Sequence, residues 1–176
     1  MGANYTETKK YIFFYGSAYS QWAMRDIEIG GEIFNCNEQF MMYKKAELFN
    51  DFSSSAKIMK AYDPATQKRL GRQVENFDKD EWEKIARDVV FNANWAKFTQ
   101  HEDLKRQLLA TGDKIIVEAS PTDCIWGIGM SCNDPGVTDP KNWRGTNWLG
   151  EAIMKVRDVL QQLNKKNDNP NLEIVC

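Results

Sequence analysis

From Glu118 to Gly150 the chain abandons both periodicities from which secondary structure is built, and any fold must be arranged around that fact. The stretch opens Glu-Ala-Ser-Pro-Thr-Asp-Cys-Ile-Trp-Gly-Ile-Gly and closes Asn-Trp-Arg-Gly-Thr-Asn-Trp-Leu-Gly. It holds Trp126, Trp143 and Trp148, three of the six tryptophans, together with five glycines (Gly127, Gly129, Gly136, Gly145 and Gly150) and Pro121, Pro135 and Pro140. Neither helical nor strand spacing is present, yet so aromatic a segment is not a disordered linker. Long irregular segments inside a domain are usually functional. The stretch reads as the wall of a pocket.

The 176 residues suit one domain with a sizeable core. We place it at residues 11–163, with 1–10 and 164–176 as terminal tails. No apolar run approaches the length of a membrane span, and the N-terminus has no secretory apolar region. A cytoplasmic protein without a membrane partner is expected. A net charge of -2 argues against tight non-specific duplex binding, which needs many phosphate contacts, but not against recognising one nucleotide or one modified base. Cys36, Cys124, Cys132 and Cys176 form no C-x-x-C pair and there is a single histidine, so zinc is not expected and the thiols read as buried or free. No cofactor is implied.

The elements predict an α+β fold, mostly helical, with a small sheet. Tyr11-Ile-Phe-Phe-Tyr15 is a run of strand formers ending at Gly16. Alternation on both sides of Gly30-Gly31 marks a hairpin over residues 26–35. Asn37 is a candidate N-cap for a helix through Phe49. Shorter helices are expected at 56–61 and 65–74, and the longest from about Glu81 to Phe98, capped near Asp78–Asp80 and apolar on two faces. A helix at 101–109 leads to a central strand at 114–119, and an amphipathic helix starts at Trp148. Leu172-Glu-Ile-Val is a further strand candidate.

Glu38 and Lys45 lie seven apart on one predicted helix. Seven residues return to within about 20° of the same direction and advance roughly 10 Å, so both side chains leave one face and can flank a small ligand. Their plainer roles are a first-turn acid and a solvated cation. Asp123, at the exit of a strand and beside Trp126, is placed to be oriented and partly desolvated, which suits acid–base work; its plainer role is an Asx turn. Trp126 and Trp143 can stack a planar base or pack in the core. Gly127 permits close backbone approach. Arg144-Gly145-Thr146-Asn147, before a helix N-terminus, suits a phosphate.

These residues also form an ordered series: Asn37-Glu38-Gln-Phe-Met-Met-Tyr-Lys-Lys45, Trp82-x-x-x-x-Arg87, Ala96-Lys-Phe-Thr-Gln100 and Leu109-Ala-Thr-Gly-Asp113, then Glu118-Ala-Ser-Pro-x-Asp123-x-x-Trp-Gly-x-Gly129, Trp143-x-Gly-x-Asn147-x-Leu-Gly150 and Met154-x-x-Arg157. From about Phe14 to Leu160 the chain resembles the NADAR domain, or YbiA-like, family. The resemblance implies an N-glycosidase. Members cleave a ribose phosphate from a pyrimidine in early riboflavin-pathway intermediates, or remove ADP-ribose from guanine. Glu38, Trp82 and Asp123 match positions the family uses for activity. Lys45 matches the lysine proposed to attack the anomeric carbon.

Two positions depart from the family pattern. Glu-His becomes Glu38-Gln39, and Ser-Asn-Phe becomes Ser20-Gln21-Trp22, which places Ser20 and Trp22 at the expected substrate mouth. The expected partner is a ribose-phosphate or ADP-ribosyl substrate, free or as a modified base in nucleic acid. The alternative is a non-catalytic module that binds ADP-ribose or a related nucleotide.

Overall fold

The computed structural model describes residues 4–168. In chain order the elements are β1 (Asn4–Glu7), β2 (Tyr11–Tyr15), β3 (Ile27–Ile29), β4 (Glu32–Phe34), α1 (Asn37–Leu48), α2 (Phe52–Lys60), α3 (Pro64–Gly71), α4 (Lys79–Gln100), α5 (Glu102–Leu109), β5 (Ile115–Glu118) and α6 (Trp148–Asp168). The fold is α+β and mainly helical, as the periodicities imply. Among the described residues two units are formed, one from residues 4–15 with 101–168 and the other from Gly16–Gln100.

The second unit is helical around α1. The hairpin β3–β4 turns at Gly30 and Gly31, both at positive φ (66° and 86°), as a two-residue turn matched to strand twist requires. Helix α1 packs against α2, α3, α4 and β4. Its N-cap is Cys36, not Asn37, and no side chain caps it. Asn37 is instead the first helical residue and fully buried, its amide turned to Gln21 and Asn94. Two buried amide partners outweigh a cap that water can replace. Asp78 caps α4 as the sequence pattern implies, accepting from the Glu81 amide, and Asp63 caps α3 through the Thr66 amide. The helix expected at 56–61 instead starts at Phe52 and takes in the three serines, because Asp51 accepts from the Ser54 amide.

In the first unit the described sheet has order β1-β2-β5, with β1 antiparallel and β5 parallel to β2. The strand expected to be central, β5, is therefore an edge of these three, and β2 lies between the others. Strand β1 lacks a run of strand formers and is recruited by pairing with β2. One sheet face carries Tyr11, Phe13 and Val117, covered by Ile128, Met130 and Val137 from the irregular stretch. Helix α6 packs on β5, and its buried Arg157 donates to the Thr111 hydroxyl (3.0 Å) and the Lys114 carbonyl (2.7 Å). The strand candidate at 172–175 lies outside the described residues.

Candidate active site

Helix α1 carries Glu38 and Lys45 on one face. Glu38 is 5% exposed, and its amide donates to the Gln21 carbonyl at 3.0 Å. Lys45 is half-buried, its Nζ 3.8 Å from the centroid of the Phe77 ring. Burial is the main cause that pushes Lys45 below the usual lysine range, and the Arg72 guanidinium adds to it. The negative charge of Glu38 works in the opposite direction, as does the ring face, which favours an ammonium above it. Met41 and Met42 between them are buried.

A ring of amides holds the segment that precedes this helix. Gln21 Oε1 accepts from Asn37 (3.1 Å) and Asn94 (3.2 Å), while Asn37 also donates to Asn94 Oδ1 (3.1 Å). The fully buried Lys97 donates through Nζ to the Ser20 carbonyl at 3.0 Å. Ser20 is buried, its hydroxyl accepting from the Trp22 amide, whereas Trp22 is 43% exposed with Lys68 Nζ 5.7 Å from its ring centroid. Trp82 is buried in the first turns of α4. Asn94 and Lys97 escaped residue-level reading because a helix with two apolar faces hides polar positions between them. The motif Ala96-Lys-Phe-Thr-Gln100 was the available signal.

Gln39 points away from Glu38. Its Oε1 accepts from the Asn35 amide at 2.7 Å, and its Nε2 reaches the carbonyls of Ile58 (3.0 Å), Met59 (3.2 Å) and Ala61 (3.3 Å) at the end of α2. The departure from Glu-His therefore falls on a buried side chain that closes a neighbouring helix. Cys36, also buried, donates to Gln67 Oε1, and burial pushes its thiol up to about 11, so it is no nucleophile near neutrality. Cys124 and Cys132 are free thiols.

In the other unit the irregular stretch folds on itself. The amides of Arg144, Thr146, Asn147 and Leu149 donate to the carbonyls of Ile128, Cys124, Gly127 and Trp126. Gly145 sits where a Cβ would lie 2.3 Å from the Gly127 carbonyl oxygen and 2.6 Å from Cys124 Cα, so only glycine allows the two halves to meet. Asp123 Oδ1 accepts from the amides of Ile125 (2.9 Å) and Trp126 (2.8 Å), an Asx turn that fixes the carboxylate. Trp126 meets Trp148 edge-on at 5.8 Å.

Other residues of this stretch are taken up internally. The Trp143 indole N–H donates to the Val137 carbonyl (2.8 Å) and its ring packs against Tyr11. Asn147, at φ 58°, accepts from the Glu118 amide and donates to the Ile116 carbonyl, both at 2.9 Å. The first amides of α6 already reach the Ile125 and Trp126 carbonyls. Arg144 remains exposed at that turn. Among the described residues no group of acidic, histidine and cysteine side chains is arranged to hold a metal, and no helix is long and apolar enough to cross a membrane.

Comparison with known proteins agrees with this architecture. The model of the NADAR domain matches residues 5–161. An N-glycosidase of Acanthamoeba polyphaga mimivirus is 42% identical over 170 residues, covering 89% of this chain and 99% of that protein. N-glycosidase YbiA of Shigella flexneri is 31% identical over 142 residues, covering 81% and 80%. The NMR structure of E. coli YbiA superposes with a TM-score of 0.74 at 25% identity, over 92% of this chain and 90% of that one. The chain belongs to the NADAR domain family of N-glycosyl hydrolases.

Proposed function

We propose that the protein hydrolyses the bond between a ribose that carries a 5′-phosphate or diphosphate and a nitrogen base, either in a ribosylaminopyrimidine phosphate or in ADP-ribosylated guanine. The observation that carries this reading is Lys45, a half-buried amine held below the usual lysine range on the same helix face as the buried carboxyl group of Glu38. A nucleophilic amine must be neutral, and burial favours that form. Lys45 attacks the anomeric carbon; the bond to the base breaks, and its electron pair leaves with the base. The carboxylate of Glu38 takes the proton that the attacking amine loses and passes it to the departing base, with Asp123 as the other candidate for this transfer. Ring opening gives an imine between Lys45 and the sugar, and water hydrolyses it to free amine and ribose phosphate or, from the second substrate, ADP-ribose. Trp82 and Trp22 in one unit, and Trp126 in the other, are the aromatic candidates for contact with base or sugar, and Ser20, Gly127, Trp143, Arg144, Gly145 and Asn147 are the further candidates for substrate binding. No cofactor enters, and a cytoplasmic location fits free thiols.

The experiment is base release from both substrate classes, followed by chromatography, with borohydride trapping of the adduct on Lys45. Lys45→Ala is expected to abolish turnover with an unchanged circular dichroism spectrum. Full activity in that variant would refute the imine. Calorimetric binding of ADP-ribose with no cleavage of either substrate would favour the silent binding module.

A further inference from the structure

Helix α3 and its C-cap bring the charge of Arg72 within reach of Lys45 and set Lys68 over Trp22. Gly71 is the point of contact: a Cβ there would lie 2.0 Å from Met42 Sδ, so the backbone of α3 rests directly on Met42. Met42 lies one turn after Glu38 and one turn before Lys45. That approach sets Arg72, which follows Gly71, close enough to Lys45 for its charge to be felt there. One turn back on the same face of α3, Lys68 stands over Trp22, whose neighbour Gln21 accepts from the Glu38 amide. Among the described residues Lys45, Lys68 and Arg72 have no carboxylate partner within ion-pair distance.

At Lys45 the Glu38 charge opposes that of Arg72, whereas Lys68 and Arg72, one turn apart, have no carboxylate of their own within ion-pair distance, so an added anion gains their attraction. We infer that Lys68 and Arg72 form the subsite for the substrate's 5′-phosphate, with Trp22 at one end and Lys45 at the other. The inference rests on the ribose-phosphate substrate proposed above. A planar guanidinium suits bidentate contact with a phosphate, and the lysine adds a second point charge. Burial, the larger cause of the lowered Lys45 pKa, persists when phosphate offsets Arg72.

The test measures binding of ribose 5-phosphate, ADP-ribose and unphosphorylated ribose by calorimetry, a readout that needs no turnover. Wild type should bind at least one phosphorylated probe better than ribose, and the tighter of the two names the phosphate source. Arg72→Gln with Lys68→Met should weaken that binding on the order of 10- to 100-fold, with Arg72→Lys keeping part of it and the melting temperature unmoved. Equal binding of all three probes by wild type would overturn the assignment. So would retention of affinity in the double variant, or a loss confined to Arg144→Gln. If the glycosidase reading alone fails, phosphate binding dependent on Lys68 and Arg72 survives without base release.

Discussion

Replacing Gln39 by methionine tests whether the departure from Glu-His concerns substrate or structure. The side chain is 3% exposed and links four backbone groups. Two of these keep other partners, since the Ile58 carbonyl accepts from the Ala61 amide and the Ala61 carbonyl from Gln67. The Asn35 amide and the Met59 carbonyl rely on Gln39. Methionine fills a similar volume and leaves both groups orphaned, at about 1–3 kcal/mol each. A net loss of about 3 kcal/mol, after some relaxation, lowers the melting temperature by about 6–12 °C in a chain of this size. Gln39→His restores one donor and one acceptor and should recover most of the loss. Thermal denaturation followed by circular dichroism, beside KM for both substrate classes, checks this. A Gln39→Met protein that melts like wild type, or that is stable but has a changed KM, would refute the structural assignment.

The acid limb of kcat/KM should follow Lys45. Because a lowered pKa makes the neutral amine available at lower pH, activity should rise at pH values below the usual lysine range, and Arg72→Gln should shift that limb to higher pH; a limb that stays in place would exclude Arg72 as a contributor. Asp123→Asn keeps an oxygen for the Ile125 and Trp126 amides, so it should leave melting unchanged and lower kcat on the order of 100-fold if the carboxyl moves a proton; unaltered kcat would reduce Asp123 to its turn. Gly145→Ala forces a Cβ onto backbone atoms that cannot rotate away and should destabilise the fold by more than about 3 kcal/mol, read as loss of soluble protein or a sharply lower melting temperature.

Much of the site was legible wherever one element carried it. The spacing of Glu38 and Lys45 needs only the helical period, and the pairing of Gly30 with Gly31 needs only turn geometry. At Asp123 the sequence allows an Asx turn or a placed carboxylate, and the turn is present. What escaped was polar burial: Asn94 and Lys97 sit between apolar faces of α4, and their partners Gln21 and Ser20 are more than seventy residues away in sequence.

Local periodicity by itself determined where most helices and strands run and which α1 residues share a face, because those patterns are set within a few residues. Tertiary structure decided the rest. It turned Asn37 from a cap into a buried amide, placed β2 between strands a hundred residues apart, and folded the aromatic stretch back on itself through Gly145. It also brought the charge of Arg72 within reach of Lys45, next to the contact of Gly71 with Met42. The reason is physical: the environment of a charge or an amide depends on what packs against it, and those neighbours come from remote parts of the chain.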